Sequence, residues 1–378
     1  MKLLTIVGTR PELIKLSEVI KKFDTFTEHI LAHTGQNYDF ELNEIFYSDL
    51  GLRRPDYYMG VASESLGETI GGIIESSYSL IQKVRPDGIL IYGDTNSCLS
   101  AICAKRLKVP VFHFEAGNRS FDENIPEEIN RRIVDHVSDI NFVLTEHART
   151  YLIREGLRPD RIIKTGGFMR EILAVHRDKI ASSSILRELS VISSEYFVVS
   201  LHREENVDVV ANLIQIMDSL AYLGRQFGVP VLFSLHPRTR RRLEEFRIGV
   251  DQNIRLLRPL SFTDYIALQR EALCVISDSG SVTEEADILG FSAVTPRQSH
   301  ERPEGFDEGV LIMSGFSQEA INNAVRVQIA LDKGGRARKV DDYQGENTSS
   351  VVVKAILSYV DYVNRNVWRK DRALEGRS

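Results

Sequence analysis

Short runs rich in β-branched residues alternate with longer segments of helical periodicity along most of the chain, and this alternation restricts the fold more than any other feature. The first run, residues 3–7, is followed by Leu13, Leu16 and Ile20 on one helical face, which makes a βα unit. Further strand-like runs fall at 30–33, 88–92, 111–115, 140–144 and 162–165, with helical stretches between most of them. Parallel strands need such crossovers, so the first half predicts a doubly wound parallel sheet. The pattern pauses after Gly166 and Gly167 and restarts at 196–200, with later runs at 231–234, 254–256, 273–277 and 292–294. At 378 residues the chain also exceeds the usual size of one domain. The expected fold is α/β, with two Rossmann-like doubly wound domains spanning 1–170 and 171–347. A last helical pattern, 349–364, carries Val352, Ile356, Val360 and Val363 on one side, and the segment 348–378 is expected to pack back on the first domain.

A net charge of −6 argues against a dedicated nucleic-acid binder, which needs a broad basic surface, so any phosphate site must be local. No apolar run approaches the roughly 20 residues that cross a bilayer, and the N-terminus enters a strand without a signal-peptide pattern. A cytoplasmic protein with no membrane partner is expected. The three cysteines, Cys98, Cys103 and Cys274, form no CxxC pair, and the nine histidines include no HExxH, so neither a disulfide framework nor a metal is expected.

Ligands of open parallel sheets bind beyond the carboxyl ends of the strands. The first run ends in Gly8-Thr9-Arg10-Pro11-Glu12, with Lys15 one turn on, so backbone N–H groups and Arg10 could face an anion at a helix N-terminus. The bland reading makes Arg10 and Lys15 solvated surface charges. Asp94 follows the run at 88–92, and either it or the adjacent Thr95 or Asn96 could cap the next helix. Glu115 ends the neighbouring run and puts a second carboxylate at the same sheet edge. Pro126 opens a helix with Glu127 and Glu128, whose i,i+4 spacing to Arg131 and Arg132 reads blandly as two surface ion pairs. Asp94, Glu115 and Glu127 together could divide acid and base roles.

In the second half, the run at 196–200 leads into His202 and Arg203, an imidazole and a guanidinium suited to a diphosphate. The turn Ser277-Asp278-Ser279-Gly280-Ser281 has small residues that let backbone N–H groups approach phosphate. Glu285, in the helix that follows, could accept hydrogen bonds from a ribose diol. Arg302, in His300-Glu301-Arg302-Pro303-Glu304-Gly305, could close the anion site.

The segments GTRPELIK, YGDT, FEAG, PEEINRR, HREEN, SDSGSVTEEA and HERPEG occur in the order seen in the non-hydrolysing UDP-N-acetylglucosamine 2-epimerase family, which the chain resembles from residue 8 to about residue 310. The resemblance implies a GT-B-like arrangement of the two domains, an active site in the cleft between them, and a homodimer. It implies nucleotide contacts from Arg10, Ser279, Gly280, Ser281, Glu285 and Arg302, with Tyr265 near the uracil. Lys15, Asp94, Glu115, Glu127 and His202 map to substrate or catalytic positions, with His202 on the leaving diphosphate. The implied chemistry is elimination of UDP across C1 and C2 to a 2-acetamidoglycal, followed by protonation and re-addition of UDP, without a cofactor. A retaining GT-B glycosyltransferase, a hydrolysing epimerase and a non-catalytic UDP-sugar sensor are the competing readings.

Between FEAG and PEE the chain carries Asn118-Arg119-Ser120-Phe121-Asp122-Glu123-Asn124-Ile125, where the better-known enzymes of that family have a longer segment beginning LRTGD. This version resembles the branch that makes UDP-N-acetyl-L-fucosamine from UDP-2-acetamido-2,6-dideoxy-L-talose for surface polysaccharide such as O-antigen or capsule. Asn118 and Phe121 are the expected selectors, because an apolar ring can cover a C6 methyl. UDP-N-acetylglucosamine and UDP-N-acetylmannosamine are the alternative pair.

Overall fold

The computed structural model describes residues 1–36, 47–335 and 338–370, which form two compact units, one from the described residues of 1–174 with 345–370 and one from those of 175–344; the end of the expected segment 348–378, residues 371–378, lies outside the described residues. In the first unit the strands are β1 (Lys2–Val7), β2 (Glu28–His33), β3 (Tyr57–Tyr58), β4 (Gly88–Tyr92), β5 (Val111–Phe114), β6 (Ile140–Val143) and β7 (Ile162–Lys164). They lie in the order β3-β2-β1-β4-β5-β6-β7, and every pairing is parallel. Helices α1 (Arg10–Phe26), α2 (Leu66–Val84), α3 (Ser100–Arg106), α4 (Pro126–Val137) and α5 (Glu146–Arg154) make the crossovers.

Leu4, Ile6, Ile89, Ile91 and Val111 of the central strands are buried against Leu80, Ile81 and Val84 of α2 and Val134 of α4. Each such side chain stabilises the unit by roughly 1.5–3 kcal/mol relative to exposure. Pro11 and Pro126 sit in the first turns of α1 and α4, where a missing N–H costs no helical bond.

The second unit has β8 (Phe197–Ser200), β9 (Val231–Ser234), β10 (Ile254–Leu257), β11 (Cys274–Ser277), β12 (Ala293–Thr295) and β13 (Ile312–Met313). Their order is β10-β9-β8-β11-β12-β13, again all parallel. Its crossover helices include α6 (Val210–Phe227), α7 (Pro237–Glu245), α8 (Phe262–Arg270), α9 (Ser281–Leu289) and α10 (Gln318–Asp332). Leu213, Ile216, Leu220 and Leu223 give α6 a buried stripe against the sheet residues Val199, Val231 and Phe233.

The chain then returns to the first unit as α11 (Thr348–Asn366), which buries Val352, Ile356, Val360 and Val363. The start of α11 is fastened by Glu171, whose carboxylate accepts Ser349 N–H at 2.8 Å and pairs with Lys22 of α1 at 3.2 Å. No helix among the described residues is long and apolar enough to cross a membrane.

The strand positions follow the β-branched runs, with two differences that matter. Glu115 is not the last residue of β5: the strand stops at Phe114, and Glu115 turns into the left-handed region at φ 70°. The two-residue strand β3 has no counterpart in the sequence reading, because two residues carry no period.

The order of strands reverses between β1 and β4 in the first unit and between β8 and β11 in the second. These switch points leave a crevice beyond the strand ends, since the flanking crossovers run to opposite sides. Gly8, Asp94, His202 and Asp278 all follow those four strands directly or within two residues.

Candidate functional site

A buried carboxylate bridges the first switch point. Glu12 is 1 % exposed and accepts Gly8 N–H at 2.7 Å and the Thr9 hydroxyl at 2.9 Å from the β1 side. From the β4 side it accepts the hydroxyls of Thr95 at 2.6 Å and Ser97 at 3.1 Å. Thr95 is therefore spent on Glu12 and does not cap the following 3-10 turn, as the sequence had allowed. The Gly8 N–H offered to an external anion is likewise already met by the chain's own carboxylate. Arg10 is half-buried and Lys15 is 5 % exposed, so Lys15 is not the solvated surface charge of the bland reading.

Burial raises the Glu12 pKa to about 7 despite the opposing hydrogen bonds from Thr95, Gly8, Thr9 and Ser97. A folded-state value above the unfolded 4.5 means that its contribution to stability is complete below pH 4.5 and is lost as pH rises towards 7. Glu12→Gln removes that dependence. The variant should gain on the wild type by about 3 kcal/mol between pH 4.5 and 7, the free-energy equivalent of the shift, readable from urea melts at the two pH values. A constant difference across the window would show that Glu12 does not titrate there.

Asp94 does not cap a helix. Its Oδ2 accepts Arg131 Nε at 2.7 Å, and Arg131, 3 % exposed, also pairs with Glu128 at 2.9 Å. Glu128 is fully buried, which corrects its reading as half of a surface ion pair with Arg132; that contact is the long one, at 3.5 Å. It accepts the backbone N–H and the hydroxyl of Ser120 at 2.9 and 3.0 Å, and so ties the loop before α4 to the helix. Burial works to raise the Glu128 pKa, but the Ser120 N–H and Arg131 outweigh it and hold the carboxylate low. Glu127, its neighbour, is half-buried in the first turn of α4.

Glu115 Oε1 accepts the amide of Asn118, which is 5 % exposed, at 3.2 Å. Between them Gly117 has φ 79°, and a Cβ there would lie 2.5 Å from the Ala148 carbonyl oxygen of α5, so glycine is required. Phe121, at φ 56°, is 66 % exposed and meets Tyr151 edge to face with centroids 5.2 Å apart. Two non-glycine residues held at positive φ in one short loop are the kind of strain that clusters at functional sites.

In the second unit the bridging carboxylate is Asp278. Fully buried, it accepts the backbone N–H groups of His202 and Arg203 at 3.0 Å each and the Asn206 amide at 2.7 Å. Its Oδ1 also lies 3.1 Å from His202 Nδ1, which leaves Nε2 as the nitrogen for another partner. The His202 side chain is 38 % exposed. Burial acts to raise the Asp278 pKa, but the charge and hydrogen bond of His202, with the Arg203 N–H and Asn206, pull it far below the ordinary range.

Next to this dyad lies the Ser279-Gly280-Ser281 turn that opens α9. A Cβ on Gly280 would come within 2.6 Å of Glu301 Oε1, whose partner at 2.7 Å is Arg203 Nη2. Glu285 accepts the Ser281 hydroxyl at 2.8 Å and the Gln269 amide at 3.0 Å. Arg302, 3 % exposed, pairs with Glu284 at 3.1 Å. Tyr265 is half-buried and hydrogen-bonds Ser200 at the end of β8; desolvation, then the Glu285 charge, pushes its phenol pKa up.

In the first unit Arg10 and Asp94 follow the two switch-point strands and Glu115 follows the neighbouring β5, while in the second His202 and the Ser279-Gly280-Ser281 turn follow the two switch-point strands. Glu12 and Asp278 were quoted within motifs but given no role by the sequence reading. The signal that could have found them is an acid placed within five residues of a strand end that also carries the candidate ligands.

Parallel α/β units that carry polar side chains and a small-residue turn beyond the strand ends are typical of a class of nucleotide-handling enzymes. Residues 20–357 match the family described as UDP-N-acetylglucosamine 2-epimerase, and the chain belongs to that family. It is an isomerase of the UDP-N-acetylglucosamine 2-epimerase type. The UDP-N-acetylglucosamine 2-epimerase of Rickettsia bellii is 48 % identical, with a TM-score of 0.90 over 98 % of this chain and 100 % of that one. The Methanocaldococcus jannaschii UDP-GlcNAc 2-epimerase, solved with UDP-GlcNAc and UDP, is 33 % identical, with a TM-score of 0.87 over 95 % of this chain and 100 % of that one. The UDP-2,3-diacetamido-2,3-dideoxy-D-glucuronate 2-epimerase of Pseudomonas aeruginosa is 35 % identical over 87 % of this chain and 92 % of its own length.

Proposed function

We propose that the protein inverts C2 of UDP-2-acetamido-2,6-dideoxy-L-talose to give UDP-N-acetyl-L-fucosamine, by expelling UDP and taking it back. The C2 hydrogen of such a sugar is not next to a carbonyl carbon, so direct deprotonation would leave a poorly stabilised carbanion. Elimination across C1 and C2 avoids it: the C2–H pair forms the C1=C2 bond while the C1–O pair leaves with UDP. Protonation from the opposite face and re-addition of UDP complete the inversion.

In this reading the first unit supplies the proton transfers. Asp94, Glu115 and Glu127 carry them jointly, and Lys15 holds the sugar. Arg10 and His202 balance charge on the departing diphosphate, where His202 Nε2 can act because Asp278 occupies Nδ1. The second unit anchors the nucleotide through the Ser279-Gly280-Ser281 turn, Glu285 and Arg302, with Tyr265 beside the base. The proposed working form is a cytoplasmic homodimer serving surface-polysaccharide synthesis.

The observation that carries the choice of sugar is the loop after β5: Asn118 buried on Glu115, and Phe121 presenting an exposed ring. An apolar ring suits a C6 methyl and leaves a C6 hydroxyl without a partner. UDP-N-acetylglucosamine and its manno epimer form the second reading, favoured by the names of the Rickettsia and Methanocaldococcus relatives. The Pseudomonas relative is named for a different UDP-sugar, so the family name does not fix the substrate.

Purified protein incubated with both nucleotide sugars, with C2 inversion followed by proton NMR, decides between them. The L-talo compound should turn over at least roughly tenfold more efficiently, the usual yield of one well-matched apolar contact. Efficient conversion of UDP-N-acetylglucosamine with the L-talo compound inert would overturn the choice of sugar and leave the epimerase assignment standing.

A further inference from the structure

We propose that Asp135 and His113, which no reading above assigns, are positioning residues that set the spacing of Asp94 and Glu115 by clamping the ends of β4 and β5 together. The proposal rests on the proton-transfer roles given to those two carboxylates under the proposed function.

The geometry converges on one carboxylate. Asp135, on α4, is fully buried, and its Oδ1 lies 2.8 Å from His113 Nδ1. Its Oδ2 accepts Gly117 N–H at 3.1 Å and pairs with Arg119 Nη1 at 2.7 Å. His113 precedes Glu115 by two residues, Gly117 follows it by two, and Arg119 by four. Three attachments therefore bracket a residue that the backbone holds at φ 70°.

The far side of the imidazole reaches the other strand. His113 Nε2 lies 2.8 Å from the carbonyl oxygen of Gly93, the residue before Asp94. The ring thus spans from the carboxylate that holds the Glu115 loop to the peptide that carries Asp94. Arg119, 1 % exposed, extends the clamp by a bidentate pairing with Glu155, the residue that ends α5, at 2.8 and 2.7 Å.

Burial alone would raise the Asp135 pKa; the hydrogen bond and charge of His113, then Arg119, outweigh it and hold the group ionised. An ionised carboxylate with every neighbour donating is a fixed point. Positional errors near 1 Å at reacting groups cost on the order of 100-fold in rate, so a fixed point here acts on catalysis.

Asp135→Asn keeps the volume but turns a donor towards Arg119 or Gly117. His113→Gln is the milder change: it leaves Asp135 with Gly117 and Arg119 and offers one donor nitrogen where the ring has two. The assay follows kcat, KM, UDP affinity by calorimetry, thermal unfolding, and free UDP released per epimerised product. His113→Gln should lose roughly 10- to 100-fold in kcat while UDP affinity holds, and the ratio of released UDP to product should rise, because a misplaced acid reprotonates the intermediate late.

Wild-type kcat and release ratio in a folded His113→Gln or Asp135→Asn variant would overturn the proposal. So would a loss of activity no larger than the loss of folded protein. If Asp135→Asn does not fold, His113→Gln alone decides. A wild-type protein that inverts no UDP-2-acetamido sugar would instead count against the proposed function.

Discussion

Asp94→Asn, Glu115→Gln and Glu127→Gln should each lower turnover by at least roughly 100-fold while UDP still binds, the scale usual for acid–base groups. The three residues come from separate segments of the first unit: the turn after β4, the turn after β5 and the first turn of α4. Each substitution nearly preserves shape while removing the negative charge and the capacity to carry a proton. Arg131 keeps its pairing with Glu128 when Asp94 becomes an amide, so the local packing has a second support. Glu115→Gln still offers an oxygen to the Asn118 amide. The expected signature is a fall in kcat with calorimetric UDP affinity little changed, since the nucleotide anchors proposed above lie in the second unit. Rates near wild type in all three variants would remove the proton-transfer assignment. Loss of UDP binding in step with turnover would recast these residues as ligand contacts.

Asp278→Ala should be the most damaging single substitution in the second unit, costing about 3–5 kcal/mol, because three donors lose one buried acceptor at roughly 1–3 kcal/mol each. It would strip the N–H groups of His202 and Arg203 and the Asn206 amide of their acceptor at once. Turnover should also fall by roughly 100-fold or more, because an imidazole without its orienting carboxylate loses its tautomer and direction.

Acidity gives a separate check. The folded-state pKa of Asp278 lies below its unfolded value near 3.8, so its contribution to stability is present above that value and is lost as pH falls below it. The stability gap between wild type and Asp278→Asn should therefore be wider at pH 7 than at pH 2.5 in urea melts. A gap that is small at pH 7, or one that grows on acidification, would show that the carboxylate does not hold the His202 turn.

Much of the fold was legible because parallel strands buried on both faces leave continuous β-branched runs. The runs at 88–92 and 231–234 match β4 and β9 to the residue. What periodicity does not report is which face of a polar helix is buried. In α4, Glu128, Asn130, Arg131 and Asp135 all point inward, and an i,i+4 pair reads the same on either face. The surface reading of Glu128 failed for that reason.

Glu12 and Asp278 were hidden differently. An acid in a first helical turn, or one between serines after a strand, is expected from helix-dipole and capping effects alone. Only the strand order shows that each bridges a switch point. The Asp135 clamp was out of reach altogether, because its partners converge through the turn at Glu115 and Gly117, whose positive φ values are not written in the local sequence.

Departure and return of UDP can be followed by positional isotope exchange in a UDP-sugar labelled with oxygen-18 at the bridge between C1 and the β-phosphorus. If UDP leaves and returns, the terminal oxygens of the freed β-phosphate become equivalent, and recapture moves label from the bridge to non-bridging positions. This is visible as phosphorus NMR isotope shifts, whichever sugar is preferred. Scrambling should occur on the timescale of C2 inversion, and more slowly in Asp94→Asn, Glu115→Gln and Glu127→Gln. Inversion at C2 with the label still in the bridge, and with neither free UDP nor 2-acetamidoglycal released over long incubation, would contradict departure and return of UDP.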